Sequence, residues 1–154
     1  QMRNFSFVSI GPEIYGKAFL LEVLAKELGI SDNFYWIGPL YKDDKYNAML
    51  SSDGFIMASD SEGFSMSIID AMACGMPMIL TAGCNMKYLS NAPFYLMCEP
   101  YAQDISRSIE YFLNKPDEMK MLGTNARLVC EKELHWSSID ENMIKNYKRI
   151  AGIS

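Results

Sequence analysis

The chain is predicted to form a single α/β domain (1–154): a Rossmann-like, doubly wound parallel sheet of about five strands, with helices on both faces and a helical C-terminus. Short apolar runs alternate with segments of helical periodicity as far as Pro100, and only helical patterns follow it. Apolar runs bounded by turn residues are typical of strands buried in a parallel sheet. At 154 residues, the chain is long enough to bury one sizeable core.

Turn residues place the elements along the chain. The predicted strands cover residues 5–10, 34–37, 54–57, 77–80 and 94–97. The predicted helices cover residues 19–28, 43–51, 66–73, 104–113, 116–133 and 137–150. Gly29 ends the first helix, a Gly-Met-Pro turn ends the third, and Pro116 opens the fifth. The methionines around the third helix, Met66, Met72, Met76 and Met78, are predicted to fill the core.

The composition argues against several classes of protein. A net charge of -5 and a sequence pI of about 4.9 argue against a nucleic-acid-binding protein, which needs a basic surface. No apolar run reaches the roughly 18 residues of a membrane span, and no basic-then-apolar leader opens the chain, so a cytoplasmic location is predicted. Because Cys74, Cys84, Cys98 and Cys130 lack metal-ligand spacing, free and mostly buried thiols are predicted.

The segment 59–81, SDSEGFSMSIIDAMACGMPMILT, carries the most information about function. Glu62 lies in a loop before the third helix, Ser65 is the predicted N-cap, and Asp70 lies on the second helical turn. The first turn of a helix offers unpaired N–H groups that attract a phosphate, so the pattern suits a ligand with a phosphate and hydroxyl-bearing sugars. From the spacing alone, two solvated surface acids are the commoner explanation.

The same segment resembles the signature of the retaining, nucleotide-sugar-dependent glycosyltransferases of the group 1 family, Ser-x-x-Glu-Gly-Phe-Gly followed by Glu-Ala-Met-Ala-x-Gly-x-Pro-Val-Ile. The matching positions are Ser59, Glu62, Gly63, Phe64, Ala71, Met72, Ala73, Gly75, Pro77 and Ile79. Further matches are FVSIGP (7–12), LAKELGISDNFYWIGPL (24–40), MLGTNAR (121–127) and HWSS (135–138). The resemblance covers essentially the whole chain and implies the C-terminal, donor-binding half of a two-domain GT-B enzyme.

The resemblance implies a role for each polar group of the segment. Glu62 would be the catalytic carboxylate, in contact with the donor sugar near the reacting carbon. The backbone N–H groups of Gly63, Phe64 and Ser65 would hold the sugar and the phosphate. Asp70 stands where the family has glutamate, and would accept hydrogen bonds from the ribose hydroxyls through a side chain one methylene shorter.

Two further loops are implied to contact the donor. The turn Gly38-Pro39-Leu40 would lie against the nucleotide base, although a plain strand-ending turn is the commoner meaning of Gly-Pro. Gly83 and Asn85 follow the fourth strand and would lie beside the phosphates. Loops at the carboxyl ends of parallel strands form ligand crevices, which agrees with that placement.

Two parts of the family pattern are missing from the sequence. They are the acceptor-binding first half and the opening strand of the second half, which ends in Gly-Arg and is followed by Lys-Gly, a basic pair that grips the donor diphosphate. A second alignment places Gly11 at the end of that strand, with Pro12 in place of the arginine and Lys17 in place of the lysine. The first alignment is favoured because 24–40 follows naturally from the second strand and its helix. The chain is therefore predicted to be inactive alone.

The predicted function is donor binding in a glycosyltransferase that moves a sugar from a UDP- or GDP-sugar to a hydroxyl, in the synthesis of cell-surface polysaccharide or glycoconjugate. No tightly bound cofactor and no metal are expected. The expected partners are the nucleotide-sugar, a saccharide or lipid-linked acceptor, the membrane surface for the full-length protein, and a second copy of the chain. Two alternatives stay open: a non-catalytic nucleotide-binding module, and a nucleotide-sugar epimerase, which would need further acids and a histidine.

Overall fold

The computed structural model describes residues 5–152 and confirms the predicted fold class, parallel α/β with helices on both sides and a helical C-terminus. The strands are β1 (Phe7–Ile10), β2 (Phe34–Gly38), β3 (Phe55–Met57), β4 (Met78–Thr81) and β5 (Leu96–Cys98). The α-helices are α1 (Lys17–Glu27), α2 (Lys42–Leu50), α3 (Met66–Ala73), α4 (Ala102–Asn114), α5 (Pro116–Glu133) and α6 (Trp136–Ala151). Within the described residues, no helix is long and apolar enough to cross a bilayer.

Within residues 5–152, the five strands pair as two parallel sheets. One holds β1 and β2, with Phe7 opposite Phe34. The other sheet has the strand order β3-β4-β5. Ile79, on the central strand β4, pairs with Ile56 of β3 on one side and with Leu96 of β5 on the other. The chain divides into two compact units within α2, between Lys45 and the following residue, so each sheet belongs to one unit.

The first unit is built from β1, α1 and β2. Along both strands, half-buried residues alternate with exposed ones, as expected of strands with one covered face. A side-chain hydrogen bond ties the residues before the two strands together, because Asn33 Nδ2 donates to the Phe5 carbonyl at 2.9 Å. Glu13 Oε2 accepts from the Ala18 N–H at 2.9 Å and so satisfies one donor at the start of α1.

The core of the second unit lies around β4, whose four residues are all buried. From α3, the side chains of Ile68, Ala71 and Met72 pack into this core, and α5 contributes Ala126. Full burial of one large aliphatic side chain stabilises the fold by about 1.5–3 kcal/mol. The helix that carries the candidate acid Asp70 is therefore anchored on its opposite side by the core.

The C-terminus of α3 confirms the predicted Gly-Met-Pro turn. Gly75 adopts φ +68° and donates its N–H to the Met72 carbonyl at 2.9 Å, while Met76 N–H donates to the Ala71 carbonyl at 3.0 Å. This pair of bonds is a Schellman motif, which requires a left-handed residue after the helix and favours glycine there. The turn leads directly into β4, so the end of α3 is determined by local sequence.

Close packing between α5 and the α3–β4 turn depends on a second glycine. A Cβ at Gly123 would collide with the Gly75 carbonyl oxygen and would lie 2.8 Å from the backbone nitrogen of Pro77. Both atoms belong to the backbone, so no side-chain rotation could relieve the overlap. Gly123 is therefore needed for the approach of α5.

Replacement of Gly123 with alanine is expected to lower the free energy of unfolding by about 1–3 kcal/mol, the usual cost of overpacking. At an exposed helical position the same change would raise that free energy by about 1 kcal/mol, because alanine is the better helix former. Met121→Ala is the matched control, since Met121 lies on the same helix and is 59% exposed. Its effect should stay within about 0.5 kcal/mol in urea unfolding. A more stable Gly123→Ala protein would contradict the packing argument.

Candidate functional site

The loop after β3 leads directly into the N-terminus of α3. Glu62 is half-buried in this loop, and Ser65 occupies the N-cap position with extended backbone angles (φ −80°, ψ 113°). The Ser65 hydroxyl makes no capping hydrogen bond and instead donates to Met57 Sδ at 3.5 Å. The predicted cap position is thus confirmed.

The N–H groups at this helix start are open to an external acceptor. Those of Gly63, Phe64 and Ser65 donate to no backbone oxygen within residues 5–152. The first N–H groups of any α-helix also lack an intrahelical partner. Together with the positive end of the helix dipole, they form a concentration of donors suited to an anion.

Hydrogen bonds join this loop to the loop that follows the neighbouring strand. Thr81, at the end of β4, donates its buried hydroxyl to the Ser59 carbonyl at 2.6 Å. The Glu62 N–H donates to the Gly83 carbonyl at 2.9 Å. The two loops at the carboxyl ends of β3 and β4 are therefore hydrogen-bonded to each other, and these bonds fix the backbone position of Glu62.

Gly83 and Asn85, both predicted to contact the donor, have different structural roles. A Cβ at Gly83 would collide with the backbone of Ser59 and Asp60, so this glycine allows the two loops to touch. Between them, Cys84 is buried and its thiol donates to the Met57 carbonyl at 3.5 Å. Asn85 is exposed and adopts a left-handed conformation (φ +52°). Asn85 is thus the residue of this loop whose side chain is available to a ligand.

Asp70 has a hydrogen-bond partner that the sequence did not reveal. It is half-buried on the second turn of α3, as predicted, and its Oδ1 accepts from the Tyr46 hydroxyl at 3.1 Å. Tyr46 lies on α2, 24 residues earlier in the chain. Hydrophobic periodicity assigns such a tyrosine to a helix but does not assign its contacts.

Two apolar side chains at the start of α3 are exposed. Phe64 is 52% exposed and Met66 is 63% exposed. The prediction that Met66 fills the core is wrong, whereas Met72, Met76 and Met78 are buried as predicted. Met66 is the first residue of α3, and it is not part of the buried face of that helix, which is formed by Ile68, Ala71 and Met72. The helix start therefore presents an apolar edge beside its N–H groups.

The turn Gly38-Pro39-Leu40, predicted to lie against the base, ends β2 in the first unit. Gly38 has φ +74°, and its carbonyl accepts from the Gly11 N–H at 3.1 Å. Leu40 is half-buried and Pro39 is exposed. The positive φ explains why glycine ends this strand.

All four cysteines are free thiols; Cys84 is buried and the other three are half-buried. Burial raises the pKa of the Cys98 and Cys130 thiols above the usual value. Among the described residues, no group of three or more histidine, cysteine, aspartate or glutamate side chains is arranged to hold a metal ion.

The fold and the joined loops define a parallel α/β protein in which the loops after β3 and β4 bring Glu62 to the start of α3. The sequence matches the glycosyl transferases group 1 family over residues 3–129, and the chain belongs to that family. It is 27% identical over 128 residues to the D-inositol 3-phosphate glycosyltransferase of Gordonia bronchialis. That alignment covers 82% of this chain but only 28% of the relative, so the chain spans less than a third of that protein.

Solved structures show the same fold. A glycosyltransferase from Rickettsia africae superposes with a TM-score of 0.82 at 22% identity, covering 99% of this chain and 41% of that one. Anabaena Alr3699/HepE, solved in complex with UDP, superposes with a TM-score of 0.80 at 16% identity, covering 94% of this chain and 41% of that one. The fold is the Rossmann-like one of the C-terminal domain in GT-B group 1 glycosyltransferases.

Replacement of Gly83 with alanine is expected to lower the free energy of unfolding by about 1–3 kcal/mol, because the new methyl group meets backbone atoms. Gly63→Ala is the matched control in the adjoining loop, since a Cβ there meets no atom within 4 Å. It should leave stability unchanged or raise it by up to about 1 kcal/mol, through the entropy of the unfolded chain. Urea unfolding measures both, and equal effects of the two substitutions would contradict the proposed fit between the loops.

Proposed function

We propose that this chain is the donor-binding domain of a retaining glycosyltransferase whose donor is a nucleoside diphosphate sugar. The observation that carries the proposal is the N-terminus of α3. There the N–H groups of residues 63–65 have no backbone acceptor among the residues that the structure describes. Glu62 precedes these groups in the sequence, and Asp70 follows them on α3. Membership of the group 1 family supports the proposal.

In the proposed complex, the helix start binds the diphosphate. Its N–H groups donate to phosphate oxygens, and the helix dipole favours negative charge there by about 0.3–1 kcal/mol at an exposed site. These donors act on a charge that grows as the sugar departs, so they stabilise the transition state more than the bound donor. Phosphate binding and catalysis thus use the same groups.

The two carboxylates recognise the two sugars of the donor. Glu62 lies beside the reacting carbon, where its negative charge stabilises the developing oxocarbenium ion. Asp70 accepts hydrogen bonds from the ribose hydroxyls. Its place on α3, whose opposite side is buried in the core, gives it a firm support.

The proposal also names a donor nucleotide and a class of acceptor. Anabaena Alr3699/HepE was solved with UDP, so UDP is the first nucleotide to test, with GDP and ADP as comparisons.

The acceptor is proposed to be a saccharide or lipid-linked hydroxyl in cytoplasmic assembly of surface glycans. It would bind to parts of the whole protein outside this chain, which spans 28% of its relative from Gordonia bronchialis.

A nucleotide titration tests the donor site. UDP is expected to bind with a dissociation constant of about 0.1–1 mM, since the chain has a net charge of -5 and the proposed phosphate ligands are neutral backbone N–H groups. Chemical-shift changes should cluster at Glu62, Gly63, Ser65 and Asp70. Asp70→Asn should weaken binding, while Asp140→Asn, at an exposed position on α6, should not. Shifts spread over the surface, or none with any nucleotide, would refute the donor site, and a dissociation constant near 1 μM would refute the expected weakness.

The chain by itself is expected to transfer no sugar, because its alignment covers only 28% of the relative from Gordonia bronchialis and the proposed acceptor site lies outside it. The measurement is product formation from UDP-sugars and simple saccharide acceptors by the isolated chain. Steady turnover that disappears in Glu62→Ala would overturn this expectation. It would mean that the chain alone binds both the sugar donor and the acceptor.

A further inference from the structure

We propose that Tyr46 is a positioning residue for Asp70, and that through Asp70 it sets the preference of the site for nucleotides that carry ribose hydroxyls. This inference rests on the proposed function, in which Asp70 meets the ribose. It adds a residue on a different helix, brought to the site only by the fold.

The contact is a hydrogen bond between two helices. The Tyr46 hydroxyl, on α2, donates to Asp70 Oδ1, on α3, at 3.1 Å. This distance is longer than the usual range for a hydroxyl bonded to a carboxylate, so the bond contributes little to the stability of the fold. Hydrogen bonds at binding sites are often long without ligand and shorten in the complex. The bond therefore serves to orient the carboxylate more than to stabilise the fold.

The core fixes the position of Tyr46. Met49 lies one turn later on the same face of α2, is only 8% exposed, and belongs to the buried cluster that includes Ile68 and Met72 of α3. Tyr46 itself is 39% exposed. Its ring is therefore held by a packed helix while its hydroxyl lies where solvent and a ligand can reach it.

The short side chain of Asp70 explains why orientation matters. Aspartate reaches one methylene less far than glutamate, so a ribose hydroxyl meets it only if the carboxylate points in the right direction. A carboxylate has about four lone-pair sites, enough to accept from the Tyr46 hydroxyl and from a ribose hydroxyl together. The hydroxyl of Tyr46 thus orients the carboxylate without displacing the ligand.

The test compares UDP with 2′,3′-dideoxy-UDP, which lacks the ribose hydroxyls, by chemical-shift titration of the whole chain. The native chain should bind UDP more tightly. Tyr46→Phe should weaken UDP binding about fivefold, close to 1 kcal/mol, and leave the dideoxy nucleotide unchanged. Tyr111→Phe is the matched control, because it also removes a hydroxyl that donates to a carboxylate, that of Glu118, at an exposed position between α4 and α5. It should change neither affinity.

A double-mutant cycle shows whether Tyr46 acts through Asp70. Tyr46→Phe combined with Asp70→Asn should bind UDP no more weakly than Asp70→Asn alone. Additive losses would overturn the inference, and so would an equal loss for both nucleotides, which indicates a general structural role. Unchanged UDP affinity in Tyr46→Phe would overturn the inference while leaving the proposed function intact. A native chain that binds neither nucleotide, or both equally, would overturn the ribose role of Asp70 and this inference with it.

Urea unfolding of the same variants separates binding from folding. Tyr46→Phe should change the free energy of unfolding by no more than about 0.5 kcal/mol, as for a surface substitution. A larger loss of stability would mean that the hydroxyl supports the fold, and would contradict the orienting role.

Discussion

The contact between Gly83 and the backbone of Ser59 and Asp60 is the constraint on which the candidate site depends. Any Cβ at this position would collide with those backbone atoms, so a larger residue fits only if the two loops move apart. The contact lets the Gly83 carbonyl accept a hydrogen bond from the Glu62 N–H at 2.9 Å. A second hydrogen bond, from the Thr81 hydroxyl to the Ser59 carbonyl, joins the same two loops. The loop after β3 is thereby attached to the end of the buried strand β4. This attachment places the catalytic candidate at the start of α3, on a rigid support.

Electrostatics explains why we expect this site to bind an anion weakly. The net charge is -5, so the chain as a whole repels a nucleoside diphosphate. The diphosphate would be attracted only locally, by the N–H groups at the start of α3 and by the helix dipole. The dipole is equivalent to about half a positive elementary charge at the N-terminus of the helix. Glu62, before the helix, and Asp70, on its second turn, add two carboxylates, whose negative charges oppose phosphate binding. In the proposed complex, these two carboxylates recognise the sugars and the transition state rather than hold the phosphate.

Much of the fold could be predicted because its signals are local. The predicted limits of α3, 66–73, agree with the structure, since Ser65 before the helix and Gly75 after it have strong positional preferences. β5 begins later than predicted, at Leu96. Phe94 is fully buried without belonging to the strand, and an apolar pattern does not distinguish a buried loop residue from a buried strand.

The sequence by itself determined the class of fold, the alternation of elements and the loop that carries Glu62, because propensity, turn residues and the family signature act over a few neighbouring positions. Tertiary structure alone decided the pairing of the strands as two sheets, the fit of Gly83 against Asp60 and the bond from Tyr46 to Asp70. These contacts join residues 17 or more positions apart. Such partners are selected by packing across the whole core, and no local pattern encodes them.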